Sequence, residues 1–259
     1  MATVAVQGIS QTFMRPDGSF HEVLKHMDLS IDDGQIVTVV GSSGCGKSTL
    51  LNVIAGFLEP TSGSILVDKI PRSGPGPDRG MVFQQDTLFG WRTVLRNVEY
   101  GLENKGVPRP ERRAQALAWI ERVGLADYSA YLPKQLSIGM KKRVQIAAVL
   151  ANSPDVLLMD EPYGALDYPT KCRLQDELLS ALSAIPKTTV FVTHDLEEAI
   201  YLADRVIVIS AGQIVEDLAI NFPRPRRDEL RTSSQLTQLK AHLWDSIGYG
   251  AQINHRDLS

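Results

Sequence analysis

The sequence predicts an α/β fold: a parallel-sheet core, antiparallel strands ahead of it, and a block of helices inserted within it. Three observations predict this. Gly41-Ser42-Ser43-Gly44-Cys45-Gly46-Lys47-Ser48-Thr49 fits the phosphate-binding pattern GxxxxGK[ST] and lies between an apolar run and a helical repeat. Short apolar runs of the buried-strand kind recur at residues 155–160, 188–192 and 205–209. Strand signals vanish from about residue 86 to 153, where apolar residues take helical spacing instead.

Residues 4–31 read as strands. Val4, Val6 and Gly8 lead into Ile9 and Phe13, and Arg15-Pro16-Asp17-Gly18-Ser19 supplies a turn. A second strand covers about 23–31, and Asp32-Asp33-Gly34 turns the chain into Ile36-Val37-Thr38-Val39-Val40. That run is continuous and β-branched, as buried parallel strands are. Beyond the glycine loop, Leu50, Leu51, Val53, Ile54, Phe57 and Leu58 carry helical spacing. A turn at 58–64 precedes the strand Ile65-Leu66-Val67, and residues 71–77, rich in proline and glycine, read as a loop. Gly80-Met81-Val82-Phe83 is a strand ending at Gln84-Gln85. In the helical block Ala114, Leu117, Ile120 and Val123 form one stripe, and Val144, Ala147, Ala148 and Ala151 another. The expected division is 1–85 with 154–222 for the core and its N-terminal β subdomain, 86–153 for the helical subdomain, and 223–259 for a tail. In the tail, Arg224, Arg226 and Arg227 read as a solvated linker, with lipid headgroups as the alternative contact. Leu236, Leu239, Leu243 and Ile247 give a short amphipathic helix.

The 259 residues suit one large α/β domain or a core with a subdomain. A net charge of −3 without a lysine- or arginine-rich stripe argues against a nucleic-acid partner. Cys45 lies inside the glycine loop, so a structural disulfide with Cys172 is not expected, which suits a reducing compartment. Neither a signal peptide nor a bilayer-spanning apolar run is read, so any membrane role is expected to come through a partner.

Strand, glycine loop and helix N-terminus together make an anion site, because unpaired backbone N–H groups and the helix dipole converge there. Gly41, Gly44 and Gly46 let the backbone wrap phosphates, Lys47 reaches the β/γ oxygens, and Ser48 holds Mg²⁺. Val156-Leu157-Leu158-Met159-Asp160-Glu161 puts two adjacent carboxylates at the C-terminal end of a buried strand, where ligands bind in open parallel sheets. Asp160 is placed to steady Mg²⁺ and Glu161 to polarise an attacking water.

From Val4 to about Pro225 the chain resembles the ATP-binding subunits of ABC transporters, which have a P-loop NTPase (RecA-like) core. Gln84 matches the family's Q-loop glutamine, which joins the catalytic core to the helical subdomain and senses Mg²⁺ and water. Leu136-Ser137-Ile138-Gly139-Met140 occupies the signature position, Gly164-Ala165-Leu166-Asp167 matches the D-loop, and His194 is the switch histidine. Phe13 matches the aromatic that stacks on adenine. From the residues alone, Phe13 reads equally as a hairpin core residue; Gln84 has a surface residue as its alternative, against which only its spacing speaks, and His194 a helix cap, against which its place just after a strand end favours a γ-phosphate contact. The resemblance implies ATP and Mg²⁺ as ligands, ATP hydrolysis, and a head-to-tail dimer in which one subunit's phosphate loop faces the other's signature. It further implies a second ATPase subunit, integral membrane permease subunits and a periplasmic or lipid-anchored solute-binding protein, at the cytoplasmic face of the inner membrane.

The signature departs from LSGGQ. Ile138 stands where glycine permits close backbone approach or positive φ; a β-branched residue tolerates positive φ badly, so strain is expected there. A homodimer would then turn over slowly at both sites, whereas in a heterodimer this chain's nucleotide would meet an intact signature. Family members usually carry arginine at the position of Ala148. Met140, Leu88-Phe89 followed by Trp91, and the Arg-Pro-Arg tail make the chain most similar to importers of nitrate, sulfonate, taurine and bicarbonate. By the same resemblance the aromatic segment 86–94, with Gly90 in place of the usual proline, is a groove for a coupling helix of the membrane subunit. Its alternative is an ordinary helical core. The rival functions are a soluble ABC ATPase of the cluster-assembly type and an ATP-binding switch with little turnover.

Overall fold

Alternating apolar residues open the chain as two long strands. The structure, a computed structural model, describes residues 2–164 and 166–256. β1 (Val4–Met14) buries Val4, Val6 and Ile9, and β2 (Phe20–Ile31) pairs with it antiparallel from Val4↔Ile31 to Met14↔Phe20. Both outrun their apolar pattern, because cross-strand pairing carries the extended backbone up to the turn. The register shifts between Val6 and Ile9 around Gly8, at φ 57, which makes a glycine-bearing bulge. β3 (Ile36–Val40) and α1 (Lys47–Ala55) follow. β4 (Ser62–Val67) then returns to β1, and β5 (Ile70–Arg72) closes a four-stranded sheet in the order β2-β1-β4-β5. Pro71 and Arg72, expected in a loop, are therefore strand residues at a sheet edge, where proline is tolerated.

The second sheet has six strands in the order β10-β9-β3-β8-β7-β6. It comprises β3 with β6 (Arg79–Val82), β7 (Val156–Asp160), β8 (Thr188–Val192), β9 (Arg205–Ser210) and β10 (Gln213–Ala219). All pairs are parallel except β10 with β9. Residues of β3 and β8 are buried throughout, as their apolar runs foretold. β10 alternates exposed and half-buried residues at the edge and has no apolar run to announce it.

Between β6 and β7 lie α2 (Val94–Asn104), α3 (Arg109–Arg122) and α4 (Ile138–Ala151), which pack around Val98, Ile120 and Val144. On α3 the buried residues are Ala116 and Ile120, with Val123 just beyond, while Ala114 and Leu117 are exposed. The stripe read every three residues drifts off the buried face because the helix turns every 3.6. α5 (Tyr168–Ala184) sets Leu174, Leu178 and Leu182 against one face of β7 and β8, and α1 packs between the two sheets.

The tail differs from the sequence reading. α7 (Ser234–Arg256) is 23 residues long and buries Leu236 and Leu243 against Val206, Val208 and Ile200. Arg226, far from being a solvated linker residue, has a fully buried side chain. It donates to the carbonyls of Ile200 (2.7 Å), Tyr201 (2.8 Å) and Ala203 (2.6 Å), at the C-terminus of α6 (Leu196–Leu202). Arg224 donates to the Leu202 carbonyl at 3.1 Å and to Asp204 at 2.7 Å. A short helix ends in carbonyls lacking intrahelical partners and in negative dipole charge, which guanidinium groups satisfy together. Burial, then the neighbouring Arg224, pull Arg226 down to about 10. Arg227 is exposed as expected, and Arg224 is exposed too although its guanidinium is bonded. Among the described residues, no helix is long and apolar enough to cross a membrane.

Candidate functional site

The phosphate loop leaves β3 at Gly41 and enters α1 at Lys47. Gly46 is the N-cap and offers no side chain to the first-turn N–H groups, which leaves them directed at an anion. A Cβ on Gly41 would lie 2.1 Å from the Ile209 carbonyl oxygen, so the loop is packed against β9. Lys47 is buried; its ammonium donates to the carbonyls of Gly41 (2.9 Å) and Ser42 (2.8 Å), at the start of the loop. Cys45 is buried beside it, and burial pushes its thiol up.

The ends of β6, β7 and β8 bring the other groups to this loop. Ser48 donates to Asp160 Oδ1 at 3.1 Å. Burial raises the Asp160 carboxyl, the Ser48 hydroxyl opposes the rise, and the Glu161 charge adds to it. A partly desolvated carboxylate beside a hydroxyl oxygen fits a hard cation such as Mg²⁺. Glu161 sits at φ 40, in the left-handed region, with its amide donating to the Val192 carbonyl at 2.9 Å. Its Oε2 accepts from Gln84 Nε2 at 3.3 Å and lies 3.2 Å from His194 Nδ1. One cavity of about 570 Å³ is lined by Ser43, Gly44, Gly46, Lys47, Ser48 and Thr49 together with Gln84, Glu161 and His194.

Other expected residues stand apart from that cavity. Phe13 is 40% exposed and so is not a hairpin core residue. Its cross-strand partner is His21, which lines a neighbouring cavity of about 560 Å³ with Ser42, Ser43, Gly44 and Cys45. Ser137 is the N-cap of α4, its hydroxyl accepting from the Met140 amide at 3.3 Å. Ile138 is the first helical residue and is absent from the residues of positive φ, so the expected backbone strain is not found. The helix N-terminus itself supplies a conformation that a β-branched side chain adopts readily. Gly139 lies against α5, where a Cβ would meet Thr170 at 3.2 Å. Asp167 caps α5, accepting from the Thr170 amide at 3.1 Å. Ala165 lies outside the described residues.

Sequence reasoning missed Lys142 and Gln145. Lys142 is buried on α4 and donates to the carbonyls of Phe83 (2.8 Å) and Gln84 (3.0 Å), while Gln145 donates to the Gln85 carbonyl at 3.0 Å. Burial, opposed by Asp86, pulls the Lys142 ammonium down to about 8. The available signal was Lys142 and Gln145, polar residues three apart and so on one face of the helix. Together they tie the start of α4 to the segment carrying Gln84.

A phosphate loop after a buried strand, with carboxylates ending another parallel strand of the same sheet, defines a nucleotide-binding protein of the parallel-sheet class. The ABC transporter family model matches residues 24–164. The chain is 45% identical to a putative ATP-binding protein of Brucella abortus (strain 2308), over 90% of this chain and 94% of that protein. It is 48% identical to the taurine import ATP-binding protein TauB of Yersinia pestis bv. Antiqua (strain Antiqua), over 77% of this chain and 79% of that protein. The dimeric structure of the ABC transporter cassette MJ0796 superposes with a TM-score of 0.77 at 32% identity, covering 85% of this chain and all (100%) of that one. A post-hydrolysis state of that cassette, bound to ADP and Pi, gives 0.76 over the same shares. The chain belongs to the ABC transporter family and is an ATP-binding, ATP-hydrolysing subunit. These relatives do not favour the cluster-assembly or low-turnover alternatives.

Proposed function

We propose that this chain powers an importer of a small anion, of the nitrate, sulfonate, taurine or bicarbonate class, by closing head to tail with a second ATPase subunit around ATP. The observation that carries the anion class is the 48% identity to taurine import proteins. Lys47 and the amides from Gly44 to Thr49 cradle the β and γ phosphates, and Phe13 stacks on adenine. Ser48, Asp160 and Gln84 would hold Mg²⁺, which supplies charge neutralisation at the phosphate oxygens when bound. Glu161 takes the proton of the attacking water, held in place by Gln84 and His194, and His194 contacts the γ-phosphate. Ser137, Ile138, Gly139 and Met140 present the N-terminus of α4 to the nucleotide of the second subunit, with Asp167 at the same seam. The subunit works peripherally at the cytoplasmic face of the membrane, with permease subunits and a solute-binding protein. Addition of taurine, another sulfonate, nitrate or bicarbonate is expected to raise the melting temperature of that binding protein. A response to neutral sugars alone would overturn the anion assignment.

The permease contact is the cleft of about 570 Å³ lined by Gly80, Leu88, Phe89, Tyr100, Ala148 and Val149. Phe89 packs edge-on to Tyr100 at 4.7 Å, Arg92 lies 4.7 Å over the Tyr100 ring, and Trp91 is 79% exposed. Ala148 lines the cleft with a small side chain, which leaves it open. An exposed aromatic beside an apolar cleft suits an anchor for a partner helix. In the assembled transporter, Phe89→Ala and Trp91→Ala are expected to cut solute uptake by about tenfold or more while ATPase stays within about twofold. Uptake tightly coupled to ATPase in both variants would remove the cleft from the permease contact.

A further inference from the structure

His194 is 63% exposed at its side chain, so packing does not hold the imidazole against Glu161; the backbone from Thr193 to Asp195 does. That backbone is anchored from below. The Thr193 hydroxyl donates to Glu198 Oε2 and accepts from the Asp195 amide at 3.0 Å. Glu198 Oε1 in turn accepts from Gln175 Nε2 at 3.0 Å, and Gln175 Oε1 accepts from Arg231 Nη1 at 2.7 Å. Thr193, Glu198 and Gln175 are 2%, 3% and 1% exposed. Arg231 belongs to the 3₁₀ turn Asp228–Thr232 that leads into α7, and it stacks on Tyr201 with its guanidinium carbon 3.5 Å from the ring centroid. A hydrogen-bonded chain of four side chains thus runs from the C-terminal segment to the residue before the histidine.

The direction of the bonds gives this chain its logic. Arginine only donates, so Arg231 forces the Gln175 carbonyl toward itself and the amide N–H toward Glu198. The Glu198 carboxylate only accepts, so the amide is held from both ends; without Arg231 the Gln175 oxygen is left buried and short of a donor, and the side chain shifts away from Glu198 to find one. Glu198 would then keep only Thr193 as a donor, and a buried carboxylate short of donors redistributes its contacts. We propose that Arg231, acting through Gln175 and Glu198, is a positioning residue for His194, which makes the C-terminal segment part of the hydrolytic apparatus. This rests on the reading that His194 contacts the γ-phosphate.

The test is steady-state ATPase of the full chain in Arg231→Met, Arg231→Lys, Gln175→Met and the Arg231→Met/Gln175→Met double variant, with His194→Ala alongside. Each Met variant is expected to lower kcat roughly fivefold, the double variant no further, and Arg231→Lys to recover most of the rate. KM for ATP is expected to stay within about twofold, because the phosphate loop is untouched. Losses that multiply in the double variant, or full kcat in both single variants, would overturn the relay. If Arg231→Met fails to fold, Gln175→Met decides alone, and an undiminished kcat there overturns the proposal. Full activity of His194→Ala would instead overturn the assignment of the histidine, so the two failures are told apart.

Discussion

Replacing Glu161 by glutamine is expected to lower ATP turnover roughly 10²–10³-fold while leaving ATP bound. The amide has the shape of the carboxylate, so the 3.3 Å contact to Gln84 and the 3.2 Å approach to His194 can be kept, with the donors rearranged. What is lost is the negative charge that accepts a proton from water. Binding depends on a different set of atoms, the loop amides and Lys47, none of which the substitution touches. Slow hydrolysis with intact binding should therefore accumulate the ATP-bound dimer, visible as a shift in sedimentation on adding ATP. The backbone points the same way. Glu161 occupies φ 40, at a cost of about 1–2 kcal/mol for a residue with a Cβ, and the bond from its amide to the Val192 carbonyl holds it there. Such a conformation persists when the surrounding sheet over-determines it, and here it aims the carboxylate into the cavity. A turnover within twofold of the unsubstituted chain would dismiss Glu161 as the base.

Those parts of the site that lie at strand ends were legible in the sequence, because a parallel sheet collects its ligand groups at one edge. Once β3, β7 and β8 are read as apolar runs, Gly41, Glu161 and His194 must follow them, and they do. Elements without an apolar run were not legible. β10 is amphipathic at an edge, and β5 contains a proline, so neither stands out from loop composition. Contacts distant in sequence were less legible still. Nothing in Arg226 announces that it will cap α6, 26 residues away from Ile200, since that pairing exists only once the tail is folded back. Lys142 and Arg231 are similar: the carbonyl and amide oxygens that they reach, on Phe83, Gln84 and Gln175, lie more than fifty residues away and leave no charge pattern to read. The expected strain at Ile138 failed for a further reason. It treated the signature as a glycine loop, whereas residue 138 is already helical.

The phosphate loop tolerates less than its pattern implies, and its glycines are not equivalent. Gly41→Ala is expected to destabilise the fold by roughly 3 kcal/mol and to weaken ATP binding on the order of 100-fold. A Cβ there would meet the Ile209 carbonyl oxygen at 2.1 Å and Cys45 Sγ at 2.7 Å. The carbonyl belongs to β9, whose Ile209 is paired with Ile214 of β10, so it cannot retreat without breaking the sheet. At Gly46 a Cβ would meet the end of the Leu24 side chain at 2.7 Å and the Val23 carbonyl oxygen at 3.1 Å, at φ 107; the short contact is with a side-chain end, so the cost is smaller than at Gly41. At Gly44 nothing lies within 4 Å, and only its φ of 79 resists a side chain, at about 1–2 kcal/mol. The expected order of destabilisation is therefore Gly41, then Gly46, then Gly44, measured by urea unfolding of the three alanine variants. Affinity should follow the same order, because displacing β3 from β9 moves the amides that converge on the phosphates. Equal losses at Gly41 and Gly44 would mean that backbone conformation alone sets the loop, and that its close packing on β9 contributes nothing.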